Sequence, residues 1–391
     1  MRCTASLREL LSPYEAYRLQ RAERPVCLDA QFHAWHVYRY ADVRHVLADH
    51  DTFRSNLANR RRTDEFGRRT ADPGQDTMLR ADPPRHRQLR GLVSAGFTER
   101  TVARMAPRIR AITDTALERA LHSGSFDVVS DLAYPLPVIV IAELLGIPAR
   151  RRGDFKRWSD AVLAGDCDGT TPDADSDVAG MHTHLAEILD QRRREPGDDL
   201  ISDLLAAELD GRRLTAGELL NFCAMMLVAG HETTTNLIGN TVLCLDAHPE
   251  LTERLREDLT VLPNVLEEVL RYLSPVQIVV RYAARDSTVG DQPVRAGDLV
   301  FPVIGSANRD EAQFDQPDRF DPDRSPNPHL ALGHGIHFCL GAVLARLEAQ
   351  TALTAMLERL PGRWEVPDVS LDPLALRFLL GVRRLPLCWN T

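Results

Sequence analysis

Apolar residues recur every three to four positions through most of the chain. That period predicts helices over residues 40–49, 84–95, 101–121, 134–146, 150–164, 176–194, 215–247, 249–258, 261–272 and 340–359. Strand-like runs are fewer and shorter, near Phe32 to Tyr38, Val276 to Ala283, Leu299 to Val303 and Leu376 to Leu387. The expected fold class is therefore mainly α with small β-sheets. The helix over 215–247 opens on Thr215 and Glu218 in capping-box spacing, and at 1.5 Å per residue it runs about 50 Å, a length only the middle of a large protein needs.

Between these elements, Leu57 to Asp76 and Gly165 to Asp177 lack a clear period and are expected to be surface loops of the kind that border a binding cavity. Asn308 to Asn327 is rich in Asp, Pro and Arg, and steps such as Asp321-Pro322 forbid regular helix, so an ordered but irregular meander is expected there.

With 391 residues, 44% hydrophobic and 26% charged, the chain has ample material for a large core, which excludes a disordered or collagen-like protein. The formal net charge of −9 offers no global attraction to nucleic acid or an anionic membrane. Seven widely spaced cysteines with no Cys-x-x-Cys pair fit neither a disulfide framework nor a zinc ribbon. The first thirty residues carry Glu9, Glu15 and Glu23 and no apolar core, and the longest apolar run, Phe222 to Gly230, is far short of the roughly 20 residues that span a bilayer. A soluble, cytoplasmic protein without a membrane anchor is expected.

The chemistry concentrates near the C-terminus, in Leu332-Gly333-His334-Gly335-Ile336-His337-Phe338-Cys339-Leu340-Gly341 followed by a helical pattern. Cys339 thereby stands at a helix N-terminus, where the dipole and free amides favour the thiolate that a soft metal requires. Gly333 and Gly335 permit a tight loop around the sulfur, and Gly341 lets a flat group approach the backbone. A dinucleotide loop is excluded because Phe338 stands where a third glycine belongs, and a zinc site lacks a second ligand pair. A buried structural cysteine accounts for neither the glycines nor His337.

The pattern Gly333-x-Gly335-x-His337-x-Cys339-x-Gly341 resembles the haem-binding signature of the cytochrome P450 family, in which this cysteine is the axial iron ligand. Leu332 departs from the family's usual Phe at a position beside the haem and thiolate, which implies altered redox tuning. Glu268-Val269-Leu270-Arg271 resembles the family's Glu-x-x-Arg, and with Arg319 or another arginine between Pro317 and Arg324 it implies a buried ion network beneath the haem.

Ala229-Gly230-His231-Glu232-Thr233-Thr234 resembles the family's oxygen-activation segment. A zincin His-Glu-x-x-His is excluded, since residue 235 is Thr. Cleaving dioxygen takes an acid, a hydroxyl and ordered water, which Glu232 and Thr233 are suited to supply. Gly230 is expected to leave the haem face uncrowded, and Thr233 to bond back to a carbonyl and open a groove. In Asp82 to Arg90, His86 and Arg90 lie four apart on a proline-started helix; the resemblance makes them, with Arg281 and His337, partners of the haem propionates.

The matches run from about residue 38 to 387, together with Ser274-Pro275-Val276 and Ala307-Asn308-Arg309-Asp310, so residues 1–391 are expected to form a single domain of the soluble bacterial class. The resemblance implies a haem-thiolate monooxygenase carrying haem b (iron protoporphyrin IX). It would use O2 to hydroxylate or epoxidise an apolar small molecule in a secondary-metabolite tailoring step, with electrons from a separate ferredoxin and ferredoxin reductase docking beside the Cys339 loop. Leu227, Val228, Ala229, Ile278, Val279, Phe378, Leu379 and the Leu57 to Leu79 loop are expected to line the pocket. The alternatives are an oxidative-coupling or peroxide-driven enzyme on the same fold, and a haem-free accessory protein.

Overall fold

The computed structural model describes residues 13–30, 32–56, 77–147, 153–154, 157–158, 172–367, 371–374 and 378–389. The first helices are α1 (Tyr14–Glu23), α2 (Tyr40–Ala48), α3 (Arg85–Val93), α4 (Glu99–Ala103) and α5 (Ala106–Ser123). They are followed by α6 (Pro135–Leu144), α7 (Pro172–Arg194), α8 (Leu200–Ala206) and α9 (Ala216–Ala247). The helical series continues with α10 (Pro249–Glu257), α11 (Leu262–Tyr272), the single turn α12 (Ile304–Ala307) and α13 (Ala342–Arg359).

α9 starts where its sequence says it should. The Thr215 hydroxyl accepts the Glu218 amide at 3.3 Å and the Glu218 carboxylate accepts the Thr215 amide at 2.8 Å, closing the capping box. From Thr234 onward nearly every side chain of the helix is buried, whatever face it occupies, because α6, α11, α13 and the π-helical turn Val128–Ala133 surround it. Its first half packs with α3, α6, α7 and α8 into one apolar cluster, and its second half packs with α5, α11 and α13 into another. The oxygen-activation motif lies where the two clusters meet.

Strands β1 (Val26–Asp29), β2 (Ala34–Val37), β3 (Phe53–Arg54), β4 (Arg281–Ala283) and β7 (Leu299–Pro302) form a sheet in the order β1-β2-β7-β4-β3. Only β2 and β7 pair in parallel within it. β4 places Arg281 opposite Val300. β5 (Ser287–Val289) and β6 (Gln292–Val294) form a hairpin, and β8 (Trp364–Glu365), β9 (Asp372–Pro373), β10 (Val382–Arg384) and β11 (Cys388–Trp389) make two short pairs near the C-terminus.

Several expectations need correction. The helix expected over 101–121 is two helices, because Pro107 restarts the backbone in the first turn of α5, and α5 then stops at Gly124 with φ +68°. Residues 172–177, expected in a loop, open α7. The Leu376 to Leu387 run is not one strand: Leu379 bridges to Val276, and β10 pairs with β9. The helix expected over 150–164 lies largely outside the described residues, as does the loop at 57–76.

Candidate active site

The loop before α13 is built around its glycines. Gly333 and Gly335 take φ of +78° and +70°, which side-chain-bearing residues rarely adopt, and a Cβ on Gly335 would come 2.9 Å from the Leu47 carbonyl oxygen of α2. These turns let the Cys339 amide donate to Leu332 O at 2.8 Å, presenting the sulfur at the entrance of α13 with Gly341 as the N-cap. A Cβ built on Gly341 meets nothing within 4 Å, so the backbone there borders open space. Burial raises the Cys339 thiol above its ordinary range; the Gly341 amide, Arg90 and Arg346 only partly offset it. The backbone amide at the helix start thus lowers the thiol in the direction expected, and desolvation outweighs it in the metal-free protein.

Beside this loop lies a pocket of cations with few anions. The rings of His86 and His337 meet at 4.3 Å between centroids, His337 Nε2 is 3.0 Å from Ser55 Oγ, and Arg90 Nη1 donates to Ile336 O at 3.1 Å. Burial, then the charges of Arg281, His86 and Arg90, push His337 down to about 3. Burial and Arg90 push His86 down to about 4, and burial brings the Arg281 guanidinium down to about 10. Asp82 lies close enough to be felt by His86 and Arg281, but its oxygens accept the Ser55 and Asn56 amides. His86 Nε2 is buried without a hydrogen-bond partner among the described residues. A group of donors that resist carrying positive charge together is completed by an anion, and carboxylates suit it. The structure brings all four expected propionate partners together here, beside Cys339 and the open face of Gly341. A haem fits this residue set.

Across the fold, Thr233 Oγ1 donates to Ala229 O at 2.9 Å, the expected back-bond, and Ala229 is exposed although it lies mid-helix. A groove therefore opens along this turn of α9, and Glu232 and Thr233 are half-buried on it. Leu340, next to Cys339, packs into the same cluster as Phe222, Met226 and Leu227 of α9, which ties the cysteine loop to the groove-bearing helix. A Cβ on Gly230 would come 2.8 Å from Ile141 Cδ1, so the glycine also lets α6 approach α9 closely. Leu227 and Ile278, expected in the pocket lining, are buried in packed clusters, whereas Phe378 is exposed and meets Phe301 edge-on.

The ion network of α11 is complete. Glu268 holds Arg271 with bonds of 2.8 and 2.7 Å to Nε and Nη2. Arg271 then donates to the carbonyls of Asn308, Pro317 and Arg319 at 2.9, 2.7 and 3.0 Å. The arginine whose side chain joins the pair is Arg324, 3.4 Å from Glu268; Arg319 contributes its carbonyl. Not foreseen were Asn308, which ties the meander to the loop by accepting the Leu330 amide at 2.7 Å, and Glu267, which holds Arg346 and His329 at 2.6 and 3.0 Å. The Asn308 role was open to a sequence signal, since Ala307 to Asp310 was one of the matched segments.

Residues 173–387 match the family model described as Cytochrome P450. The erythromycin C-12 hydroxylase of Saccharopolyspora erythraea is 42% identical over 377 residues, covering 94% of this chain and 91% of that protein. The cyclomarin C epoxidase CymV of Salinispora arenicola is 41% identical, covering 95% of each chain. The crystal structure of CYP109E1 from Bacillus megaterium in complex with testosterone superposes with a TM-score of 0.86 at 36% identity, covering 97% of this chain and 100% of that one. This chain belongs to the cytochrome P450 family. It is a P450 oxidoreductase of the monooxygenase type, with a haem-thiolate cofactor, small-molecule substrates, O2 and redox partners. Among the described residues of this P450, no helix is long and apolar enough to cross a membrane.

Proposed function

We propose that this P450 inserts one oxygen atom from O2 into an apolar small molecule, by hydroxylation or epoxidation, in a secondary-metabolite tailoring step. Residues 1–391 act as one domain. The observation that carries the reading is the joining of two half-sites by one packed cluster: Cys339 with its cation pocket on one side, the Glu232–Thr233 groove on the other.

Cys339 Sγ would ligate the iron of haem b, and His86, Arg90, Arg281 and His337 would hold its propionates. Bound haem supplies the binding and reductive activation of O2. Thr233 Oγ1, now spent on Ala229 O, is placed to swing its proton toward the groove, and the Glu232 carboxyl replenishes it from the helix side.

Electrons come from a separate ferredoxin and its reductase. They dock on the face of the Cys339 loop, where Phe338 is exposed and Arg44 and His334 border a cleft of about 460 Å3. The test is the difference spectrum of the dithionite-reduced protein with and without carbon monoxide. A strongly red-shifted Soret band is expected; a protein without haem, or with a band typical of histidine ligation, overturns the reading.

A further inference from the structure

Positions 229, 233, 236 and 240 of α9 are spaced four, three and four apart and share one helix face. The line begins at exposed Ala229 and half-buried Thr233 and runs into the interior, where Asn236 and Asn240 are 2% and 1% exposed. Two carboxamides so deep are expensive unless they do something that leucine cannot, since an unpaired buried donor or acceptor costs about 1–3 kcal/mol. Asn240 Oδ1 and both polar atoms of Asn236 have no hydrogen-bond partner among the described residues.

The Nδ2 group of Asn240 does find partners, and they lie in two separate segments. It donates to Leu273 O at 2.9 Å and to Leu380 O at 3.2 Å. The first carbonyl leads into Pro275–Val279, and the second ends the Phe378–Leu380 stretch. These segments are laced to each other as well: the Leu380 amide donates to Pro275 O and the Gln277 amide to Phe378 O, each at 2.8 Å, and Val276 bridges to Leu379. One turn nearer the groove, Asn236 abuts Gly381, where a Cβ would come 2.0 Å from Asn236 Oδ1. The last segment is thus pulled onto α9 at Leu380 and stopped against it at Gly381.

We propose that Asn240 is a positioning residue for substrate selectivity. Through Leu273 O and Leu380 O it fixes the wall carrying Phe378 and Leu379 relative to the Glu232–Thr233 turn on the same helix, with Asn236 and Gly381 as the stop. The consequence for selectivity rests on the monooxygenase reading; the clamp itself does not.

The test compares Asn240→Leu, Asn240→Asp and Gly381→Ala with the parent, all in haem-loaded form. Hydrogen exchange across residues 378–389 reads the clamp. Loss of the shared donor is expected to speed exchange at the Leu380 amide by about fivefold or more. Spectral titration with two iron-binding azoles of different bulk, phenylimidazole and clotrimazole, reads the wall, and the ratio of their dissociation constants is expected to shift at least about fivefold. Gly381→Ala displaces the same wall from the other side and is expected to move the same ratio, so the test survives if Asn240→Leu folds poorly. Unchanged exchange in the Asn240 variants, or faster exchange with an unchanged azole ratio at full haem content, overturns the proposal. A parent that binds neither azole counts against the monooxygenase reading, and hydrogen exchange then judges the clamp alone.

Discussion

Replacing Glu268 by Gln removes the charge of the buried pair and keeps its volume. The carboxylate accepts from Arg271 Nε and Nη2, from the Asp321 amide at 2.8 Å and from Asn327 Nδ2 at 3.2 Å, with Arg324 Nε at 3.4 Å. Arg271 and Glu268 are 0% and 1% exposed. Glu268→Gln leaves two guanidinium groups facing a neutral amide whose NH2 half points a donor at donors. Removing one member of a buried pair costs about 3–5 kcal/mol, a large part of the roughly 5–15 kcal/mol that holds a typical domain folded. Because ligand binding and folding are linked, the loss appears as reduced haem occupancy as well as lowered stability. Arg271→Lys approaches the same network from the other side. Arg271 spends its donors on two carboxylate oxygens and three carbonyls, whereas lysine has three N–H groups, so at least two of these bonds from a charged donor are lost, at about 1.5–3 kcal/mol each. The assays are urea unfolding of haem-free and haem-loaded protein and haem content per chain. A Glu268→Gln protein within about 1 kcal/mol of the parent and fully loaded with haem would refute the reasoning.

Four further outcomes are expected. Thr233→Ala and Glu232→Gln should each lower product formed per reductant consumed by about a hundredfold, with hydrogen peroxide rising in its place; normal coupling in both variants removes them from proton delivery. Burial alone would raise the Glu267 carboxyl, but Arg346 and His329 hold it at about 2 against an ordinary 4.5. Its folded value is the lower one, so its stabilisation is complete above about pH 4.5 and fades as pH falls toward 2; the stability gap between parent and Glu267→Gln should close over that window, and a pH-independent gap contradicts this. Gly335→Ala forces a side chain into φ +70° against Leu47 O and should lower both melting temperature and haem occupancy by a loss of at least about 1–2 kcal/mol, measured by calorimetry; a neutral effect means the loop relaxes freely. Leu332→Phe should shift the haem reduction potential at unchanged haem content in a redox titration, and an identical potential refutes a tuning role for this position.

Most of the helical frame and the cysteine loop were legible because local signals and tertiary demands agree there. The capping box at Thr215 and the glycines around Cys339 each require little beyond their own neighbours. The boundary at Pro107 was available in the sequence and missed, because the apolar period continues through the break. Other features need the third dimension. The closeness of Gly230 to Ile141, and the apolar cluster around Leu227, follow only once α6 is placed against α9. Arg319 and Arg324 are indistinguishable in a meander without period, since what separates them is the path of the backbone. The tendency of the helix start to ionise Cys339 was correctly signed, but sequence alone does not show how much desolvation opposes it.

Arg271 holds Asn308, Pro317 and Arg319 through their main-chain carbonyls, and the one side chain of that stretch it is seen to meet is the ring of Phe314. It senses where the chain goes and is indifferent to which side chains hang from it at those three points. The meander can therefore be rewritten at Pro317 and Arg319 while the arginine still checks its course, so long as the new residues permit the same turns. A recombination junction or a transplanted surface loop placed in this stretch would be tolerated or rejected on shape so long as the ring of Phe314 is kept, which makes this buried cation an inspector of geometry for anyone splicing P450 halves together.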